Sequence, residues 1–392
     1  MTFHPFGHKL QKMRIGLDLR PFLKRETGVG LYLKNLLFHL AAIDRDDEYF
    51  LFSSSLRDRF DRTKLPPFAR MTFRDALVPV KLLNLMWHRT GQPALDVFFG
   101  RRMDLTHSAT PLILPTRGKK IVTVHDLFYM DFPDRAEGEA GTDFLRGTRS
   151  SLRRADGILT FSLYTKAQIV TRFDIPEKKV KVVPHGLDRR FLEDIQTAEL
   201  DGVSMRLGLP REFLLFVGTL EPRKNLPRLV EALKIVHLSF RKIPLVLAGP
   251  EGRDVKEIRK VIAGLGLEEW VVFTGYLSQE DIRCLYRLAC ALVFPSLCEG
   301  FGFPILEAMA SGLPVAVSRN SALPEVAGEA ALYFDGEDPE QIAARIVEIL
   351  DQAALRAELG QKGRKRAEGF RWETAAAETL SFYRQVVGGG RL

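Results

Sequence analysis

Residues 291–318 read ALVFPSLCEGFGFPILEAMASGLPVAVS, and the fold class can be predicted from this stretch. A short apolar run stands at each end, and a turn of glycines, phenylalanines and one proline leads from the first run into a helical segment. Two neighbouring strands joined through a helix run parallel, whereas an antiparallel pair needs only a short hairpin. The stretch therefore predicts one unit of a parallel sheet covered by helices.

The same stretch holds two carboxylates, Glu299 and Glu307, on either side of the turn at 300–304. Glycines let the main chain approach a ligand closely, and the N-H groups at the start of the following helix favour an anion. The carboxylates cannot bind that anion, so they must face something attached to it. Sugar hydroxyls, which donate to carboxylate oxygens, are the obvious candidates.

The rest of the chain repeats this alternation in two series. The first series has the strands RIGLDL, YFLFSSS, KKIVTVHD, ADGILTFS and KVKVVPHG, and the second has FLLFVG, IPLVLAG, VVFTG, ALVFPS and PVAVS. Strands that alternate with helices in this way are typical of a parallel sheet with helices on both faces. The fold is therefore predicted to be α/β, with two Rossmann-like domains facing each other across a cleft. We place the boundary in the irregular stretch 187–211, with a first domain of 1–190 and a second of 191–371.

The composition is that of a globular protein without a membrane span. The chain has 392 residues, 46% apolar and 27% charged, which is more than one core usually holds. No apolar run approaches about eighteen residues, and residues 1–13 lack the apolar core of a signal peptide, so we expect a cytoplasmic protein. The cysteines Cys284, Cys290 and Cys298 have no Cys-x-x-Cys spacing, which favours buried reduced thiols over a disulfide or a zinc site.

The positive charge belongs to the first domain. Residues 1–190 contain 33 Lys and Arg against 21 Asp and Glu, whereas the remainder contains 24 against 28. This asymmetry suggests an anionic partner, either nucleic acid or the negatively charged inner surface of a membrane. A well-solvated basic domain is an equally weighted alternative, because net charge says little about fold or chemistry.

A glycine turn is predicted after the first strand, at Gly28 and Gly30. The dinucleotide-binding pattern needs a third glycine where the chain has Leu33, so a dehydrogenase is disfavoured. What remains is a turn that exposes N-H groups at a helix N-terminus, able to approach a phosphate or a sugar. An ordinary tight turn is the alternative interpretation.

Adjacent cations, Arg223 and Lys224, follow the strand FLLFVG in the segment GTLEPRKN. Such a pair is usually a solvated surface feature. At the carboxyl end of a strand facing a cleft, however, an Arg fork and a Lys charge can bind a diphosphate. Each hydrogen bond to a charged group contributes about 1.5 to 3 kcal/mol.

Two histidines follow or end strands in the first domain. His125 comes directly after KKIVTV and is a candidate hydrogen-bond donor to a sugar, while His107 in DLTHS is a similar candidate with less support. The triplet from Asp44 to Asp46 is predicted to be a solvated turn rather than a magnesium site. No metal is expected.

A family resemblance rests on longer motifs. The second half carries FVGTLEPRKNLPRLVEAL, LVLAGPEG, VVFTGYLSQEDIRCLYRLACALVFPSLCEGFGFPILEAMASGLPVAVS and SALPEVAGEAALYFD in order, and the first half carries TVHD, ILTFS and VVPHG. Through these motifs the chain resembles the retaining glycosyltransferases of family 4, or group 1, whose fold is GT-B. The resemblance implies two Rossmann-like domains across a central cleft and a C-terminal helix, 372–392, that crosses back to the first domain.

The resemblance also implies roles for the charged residues of the second domain. Glu307 matches the glutamate that binds the donor ribose, and Glu299 matches the one that lies against the donor sugar. Lys224 matches the lysine that binds the donor diphosphate. Many members also carry an arginine where this chain has Thr219, which leaves open whether Arg223 supplies the second cation.

The remaining implied site residues come from both domains. His125 matches the histidine that contacts the donor sugar near the reacting carbon, and Gly30 matches the glycine near the diphosphate. The other residues expected at the donor are backbone or base contacts: Gly28, Gly218, Tyr276, Leu277, Ser278, Gly300, Phe301, Gly302 and Phe303.

The resemblance implies substitution at an anomeric carbon with retention, without a metal and without a cofactor besides the nucleotide-sugar donor. The segments LDLRPFLKRETGVGLYLKNLL and SALPEVAGEAALYF look closest to bacterial mannosyltransferases of surface polysaccharide and lipopolysaccharide assembly, so GDP-mannose is the expected donor. A glycan or lipid-linked acceptor would bring the basic first domain to the inner face of the membrane. Residues 77–99, apolar and basic, either lie on that membrane, line the acceptor cleft or, as the favoured interpretation, pack in the core.

Two other classes of function stay open. Another GT-B activity, sugar-nucleotide epimerisation or phosphorolysis, would use the same fold. A non-catalytic protein could instead bind nucleic acid or another anion through its basic domain. No nucleic-acid-reading motif is visible and aromatic residues do not interleave with the basic ones, so no nucleic-acid partner is expected. The sequence does not indicate an oligomeric state.

Overall fold

The structure is a computed structural model, and it describes residues 12–22, 28–57, 59–132 and 142–389. The chain folds into an N-terminal and a C-terminal half, each built on one parallel sheet. This confirms the predicted α/β class.

The N-terminal sheet has seven strands in the order β3-β2-β1-β4-β5-β6-β7, and every pair is parallel. Its strands are β1 (Arg14–Asp18), β2 (Glu48–Ser54), β3 (Met71–Ala76), β4 (Leu105–Ser108), β5 (Lys119–Thr123), β6 (Gly157–Thr160) and β7 (Val180–Val182). The helices of this half are α1 (Gly28–Ile43), α2 (Val80–Arg89), α3 (Leu95–Phe99), α4 (Phe128–Asp131), α5 (Thr142–Arg154) and α6 (Leu163–Phe173).

The C-terminal sheet has six parallel strands in the order β10-β9-β8-β11-β12-β13. Its strands are β8 (Leu214–Val217), β9 (Leu245–Ala248), β10 (Val271–Gly275), β11 (Ala291–Phe294), β12 (Val315–Ser318) and β13 (Ala331–Phe334). The helices that follow β7 are α7 (Thr197–Leu207), α8 (Leu226–Ser239), α9 (Val255–Leu265), α10 (Gln279–Leu288), α11 (Phe303–Ala310), α12 (Leu323–Ala327), α13 (Pro339–Asp351), α14 (Ala353–Ala367) and α15 (Trp372–Val387).

The central strands read as continuous apolar runs because helices bury both of their faces. Every residue of β8, β9, β11 and β12 is buried. In a parallel sheet of this kind the alternation typical of one-sided strands disappears. The apolar runs in the sequence are therefore what predicted the sheets.

The last helix crosses back to the N-terminal half, as predicted. On α15 the Tyr383 hydroxyl lies 2.6 Å from Nδ1 of His107 at the end of β4, and Glu378 pairs with Lys181 of β7 at 3.0 Å. A side chain on Gly157, which begins β6, would stand 2.7 Å from the ring of Phe382. The close approach of α15 to this sheet therefore depends on a glycine.

One prediction about the connection between the halves is wrong. The stretch 187–211 was expected to be irregular, but it contains a 3-10 turn at Arg189–Leu192 and the helix α7. Of the α7 side chains only Val203 is buried, and Met205 is 80% exposed. Leu200, Val203 and Leu207 face the core at helical spacing, but this stripe is short and only Val203 is fully buried.

Candidate active site

The two halves meet at the carboxyl ends of their strands. His125 follows β5 in the N-terminal sheet, and Glu299 follows β11 in the C-terminal sheet. A Cβ atom on Gly300 would stand only 1.6 Å from the main-chain oxygen of His125. The glycine therefore lets the two strand edges touch, and the loops of both halves form one site.

A cluster of four charged side chains, Glu221, Arg223, Lys224 and Glu299, lies at this junction. The Glu299 carboxylate accepts from Lys224 Nζ at 2.5 Å through one oxygen and from Arg223 Nη1 at 2.7 Å through the other. Lys224 and Glu299 are both buried, at 5% and 7% exposure. The two cations that the family resemblance places at a diphosphate thus share Glu299, and Arg223 also pairs with Glu221 at 3.3 Å.

The cluster shifts the pKa values of its members. Burial by itself would raise the pKa of Glu299, but the charges of Arg223 and Lys224 outweigh burial and lower that pKa to about 2. Burial, helped by the neighbouring Arg223 charge, lowers the pKa of Lys224. Glu299 is therefore ionised at any physiological pH.

Main-chain turns hold the two cations in place. Gly218, after β8, has a φ of +146°, a conformation that favours glycine, and Lys224 Cε packs 3.6 Å from where its Cβ would stand. Arg223 and Lys224 lie in a 3-10 turn that ends at Asn225, whose side-chain amide donates to the Gly336 carbonyl at 2.6 Å. Thr219, between the strand and this turn, is half-buried.

The glycine turn after Glu299 is held by aromatic packing. Gly302 has a φ of +117° and precedes α11, and Phe303 stacks on His185 with ring centroids 4.5 Å apart. Phe301 meets the same imidazole edge-on at 4.8 Å. The turn that connects the two glutamates is thereby fixed against the N-terminal half.

Glu307 lies on α11, away from the charge cluster. Its carboxylate accepts from the Tyr286 hydroxyl at 3.1 Å and has 8% exposure. Burial raises the pKa of Glu307 to about 8, although the Tyr286 hydrogen bond acts against this. At neutral pH without ligand, this carboxyl is therefore mostly protonated.

A cavity of about 300 Å³ opens beside Glu307. Its wall includes Gln279 at the start of α10, Asp188 and Arg190 from the connection between the halves, and Phe38 of α1. The loop residues predicted at the nucleotide base are near but are not in this wall: Tyr276, which is 61% exposed, Leu277, and Ser278, which caps α10 through the Asp281 N-H. Gln279, one residue further on, is the wall residue of this segment.

His125 is a neutral, hydrogen-bonded side chain. Nε2 donates to the Ala109 carbonyl at 2.9 Å, and the ring packs edge-on against Tyr32 at a centroid distance of 5.4 Å. Burial lowers its pKa. His107, the weaker candidate, bonds Tyr383 and Thr123 in the core and has a pKa lowered to about 3 by burial.

Comparison with known proteins supplies the family. A family model described as Glycosyltransferase Family 4 matches residues 27–191, and one described as Glycosyl transferases group 1 matches residues 205–366. The chain belongs to the family 4, or group 1, glycosyltransferases. This glycosyltransferase is 28% identical over 380 residues to the O-antigen chain mannosyltransferase B of Escherichia coli, an alignment of 95% of this chain and 100% of that one.

Further relatives and solved structures agree. An MMP alpha-(1->4)-mannosyltransferase of Mycolicibacterium hassiacum is 31% identical over 252 residues, which is 62% of this chain and 57% of that one. The sucrose-phosphate synthase of Thermosynechococcus elongatus superposes with a TM-score of 0.77 at 21% identity, covering 97% of this chain and all of that one. The lipopolysaccharide glycosyltransferase WaaG superposes with a TM-score of 0.69 at 18% identity, covering 96% and 100%. The GT-B prediction is confirmed.

One structural detail of the predicted site is wrong. Gly28 and Gly30 were expected in a turn before a helix, but both lie in the first turn of α1, and Gly30 is buried. The segment 23–27 that precedes them lies outside the described residues. In the glycosyltransferase, any approach of these glycines to a ligand is therefore made from helical N-H groups.

Two further residues, one at the site and one between the halves, were not singled out in the sequence. Tyr286 is the partner of Glu307, and Glu325 of α12 accepts from the N-H groups of Leu163 and Tyr164, both at 2.7 Å. Glu325 thereby caps α6 of the opposite half, a contact that links the two halves of the glycosyltransferase. Glu325 belongs to the motif SALPEVAG, but nothing in its local pattern signals a partner 160 residues away.

Asp44 and the three cysteines lie in protein packing and form neither a metal site nor a disulfide among the described residues. Asp44, predicted in a solvated turn, is instead buried and accepts the Tyr49 hydroxyl at 2.6 Å, so that expectation is wrong. Cys284 and Cys298 are buried and Cys290 half-buried, all three without a disulfide. Within the described ranges of the glycosyltransferase, no three His, Cys, Asp or Glu side chains gather as metal ligands, and no helix is long and apolar enough to cross a bilayer.

Proposed function

We propose that the protein transfers a mannosyl group from GDP-mannose to a glycan or lipid-linked acceptor, with retention and without a metal, in surface polysaccharide synthesis. The observation that carries the proposal is the pair of cations at the cleft, a buried Lys224 and a half-buried Arg223, bridged by the Glu299 carboxylate. Adjacent Arg and Lys side chains at a cleft can bind an anion through charge-assisted hydrogen bonds. The donor diphosphate is that anion.

The diphosphate is expected to take over the cations from Glu299. Its oxygens would accept the Lys224 ammonium and the Arg223 fork, and these cations would stabilise the charge that develops on the leaving phosphate. That role is one that a divalent cation fills in other enzymes of phosphate chemistry. The proposal of metal independence rests on Arg223 and Lys224 filling the role of that divalent cation.

The two glutamates then face the rest of the donor. Glu307 lines the cavity beside α1 and would accept the ribose hydroxyls, with the nucleobase in the space toward Gln279. Glu299, once released from the cations, lies between them and the main chain of His125, where the donor sugar would be held. The departing phosphate oxygen is the proposed base for the acceptor hydroxyl, so attack takes place on the face that the leaving group occupied.

The relatives support the choice of sugar. The protein from Escherichia coli, matched along its whole length, and the protein from Mycolicibacterium hassiacum are both named as mannosyltransferases. The name of the former, an O-antigen chain mannosyltransferase, also supports surface polysaccharide as the product. Such an acceptor would be assembled on a lipid carrier, so we propose that the protein works in the cytoplasm at the inner face of the membrane.

The test begins with binding and ends with transfer. Thermal stabilisation is measured with GDP-, UDP-, ADP- and dTDP-sugars in EDTA, for the wild type and for Lys224→Ala, with Lys234→Ala on α8 as the matched control. We expect a shift with GDP-mannose that Lys224→Ala loses and Lys234→Ala keeps. Transfer of labelled mannose to lipid-linked glycan, with NMR of the new anomeric centre, then tests the reaction and its stereochemistry.

The outcomes separate the proposal from its rivals. Stabilisation by UDP- or dTDP-sugars alone would replace the donor but keep the enzyme class. Conversion of the free sugar nucleotide without an acceptor would replace transfer with epimerisation, and phosphate-dependent release of sugar would replace it with phosphorolysis. A folded protein stabilised by none of the donors would overturn the proposal.

A further inference from the structure

The helix α2 turns apolar side chains toward the outside of the protein. Leu82, Leu85 and Met86 occupy one face at helical spacing and are 49%, 47% and 38% exposed. Leu83 and Trp87, on the opposite face, are buried. A helix on the surface of a globular domain ordinarily turns its polar face outward, so this helix has a second apolar face without a partner among the described residues.

Contacts made by Arg20 and Trp87 fix the orientation of α2. Arg20 donates to the Asn84 side-chain oxygen at 2.7 Å and lies over the Trp87 ring, 4.5 Å from its centroid. The Trp87 indole donates to the Pro93 carbonyl at 2.8 Å. A rotation of α2 that turned the leucines inward would break all of these contacts. The exposure of the apolar face is therefore set by the packing of the helix.

Positive charges border this apolar face on both ends of the helix. Lys81 precedes the leucines and Arg89 ends α2, and both are exposed. Neither has an ion-pair partner among the residues that the structure describes. Arg89 falls on the same helical face as Leu82 and Leu85, so the apolar stripe and the cation share one surface.

The neighbouring helix α5 adds further exposed arginines beside the apolar face of α2. Arg149, Arg153 and Arg154 are exposed, and no carboxylate in the described part of the chain pairs with them. Nη2 of Arg154 lies 3.7 Å from where a Cβ atom on Gly91, just past α2, would stand. The arginine stripe of α5 therefore begins where α2 ends.

The topology places both helices in one layer. The connections from β3 to β4 and from β5 to β6 run in the same direction across the sheet, whereas the connection from β1 to β2 runs the opposite way. Right-handed crossovers then put α2 and α5 on the same face and α1 on the other. We call the outward residues of this layer the α2–α5 face: Lys81, Leu82, Leu85, Met86, Arg89, Arg149, Arg153 and Arg154.

We propose that the α2–α5 face docks on the surface of an anionic phospholipid bilayer, with the leucines among the headgroups and the cations on lipid phosphates. Leucine beside arginine on an exposed helix is what an interfacial surface requires. A symmetric dimer through this face would gather the cations of both copies in one interface, with no carboxylate among the residues of the face to pair with them. The inference deepens the proposed function and rests on it for its purpose, because a lipid-linked acceptor lies at such a surface.

The first experiment tests the apolar part of the α2–α5 face. The full-length protein is sedimented with vesicles of phosphatidylglycerol and phosphatidylcholine, and separately with phosphatidylcholine alone. We expect binding to the anionic vesicles only, and its loss in Leu82→Asp/Leu85→Asp. The control is Leu238→Asp on α8, where the leucine is 77% exposed in the other half; this variant is expected to bind as the wild type does.

The second experiment tests the charge. At about 1 kcal/mol for each basic residue near the surface, loss of one cation weakens vesicle binding about five-fold, so Arg149→Glu/Arg153→Glu should weaken it at least about 25-fold. Lys256→Glu/Lys365→Glu in the C-terminal half makes the same change in net charge and should leave binding nearly intact. Circular dichroism and melting temperature confirm that each variant is folded.

The inference is overturned if the wild type does not bind anionic vesicles, or if the control variants lose as much binding as the variants in the α2–α5 face. It is also overturned if the leucine variant changes only the oligomeric state, which would make the face an interface between copies. Donor stabilisation, measured on the same preparations without vesicles, keeps the two proposals apart. A protein that binds GDP-mannose but not vesicles refutes the inference alone, and the reverse result refutes the proposed donor alone.

Discussion

Donor binding should depend on pH through Glu307. Burial raises the pKa of this carboxyl to about 8, so at pH 7 about nine molecules in ten carry the proton. Ribose hydroxyls donate hydrogen bonds, and only the ionised carboxylate offers both oxygens as acceptors. Binding of the donor must therefore release this proton, and raising the pH must tighten binding.

The size of the effect follows from that pKa. If only the ionised form binds, the Kd for GDP-mannose falls about 25-fold between pH 6.5 and 8.5, and about 0.9 proton is released per donor at pH 7. Isothermal titration calorimetry in buffers of different ionisation enthalpy measures both quantities. The sugar nucleotide is used in place of GDP because a terminal phosphate titrates near pH 6 and would add its own pH dependence.

Two variants assign the proton to Glu307. Glu307→Gln should bind weakly and without the pH dependence, because the amide does not titrate. Tyr286→Phe should move the midpoint to higher pH, because the Tyr286 hydrogen bond lowers the pKa of Glu307. A Kd that is constant or rises over this range, or a slope that survives in Glu307→Gln, refutes the reasoning. Deprotonation of Lys224, whose pKa is also lowered, would give the opposite sign, since it removes a diphosphate partner.

Three further outcomes are expected. Lys224→Ala should raise the Kd for the donor about 10- to 150-fold in the same calorimeter, because it removes a hydrogen bond from a charged donor. Gly300→Ala should abolish transfer but keep nucleotide binding by the C-terminal half, since its Cβ cannot fit against the opposite strand edge; Gly264→Ala, with open space around it, should do neither. Glu325→Ala should increase the radius of gyration in small-angle X-ray scattering, because it removes the cap on α6, whereas Glu329→Ala should not.

Each of these outcomes has a clear contrary result. Unchanged affinity in the lysine variant would remove the cation from the donor site. Full transfer activity in the Gly300 variant would show that the touching of the two strand edges is dispensable. An unchanged radius of gyration in the Glu325 variant would show that the cap does not hold the halves together.

The fold could be predicted because its central strands are buried on both sides. Runs such as LLFV in β8 and ALVF in β11 are apolar throughout and show no helical period. Their alternation with helical segments along the chain predicts parallel sheets. The helix α7 was missed because its apolar stripe, Leu200, Val203 and Leu207, is short. For Gly28 and Gly30 a short glycine pattern was interpreted as a turn, and the structure makes it the start of a helix.

The residues of the site could be predicted, but not how they pair. Arg223, Lys224 and Glu299 each follow a strand, and parallel strands bring such positions to one edge. From the sequence, the cations were expected to bind a phosphate and the glutamate a sugar, so their mutual pairing was not expected. Pairing across 75 residues depends on which groups are buried together without ligand, and no local pattern carries that information.

That pairing gives Glu299 two successive roles on the proposed function. In the structure it is the counter-ion of the buried Lys224, and it shares with Glu221 the pairing of Arg223. A diphosphate on those cations brings two negative charges beside the carboxylate, so Glu299 is repelled from them toward the sugar. There, positive charge develops on the anomeric carbon as the bond to the phosphate breaks, and an adjacent carboxylate stabilises it. Donor binding therefore activates the site, because Glu299 can stabilise the sugar in the transition state only after the diphosphate has replaced it on the cations.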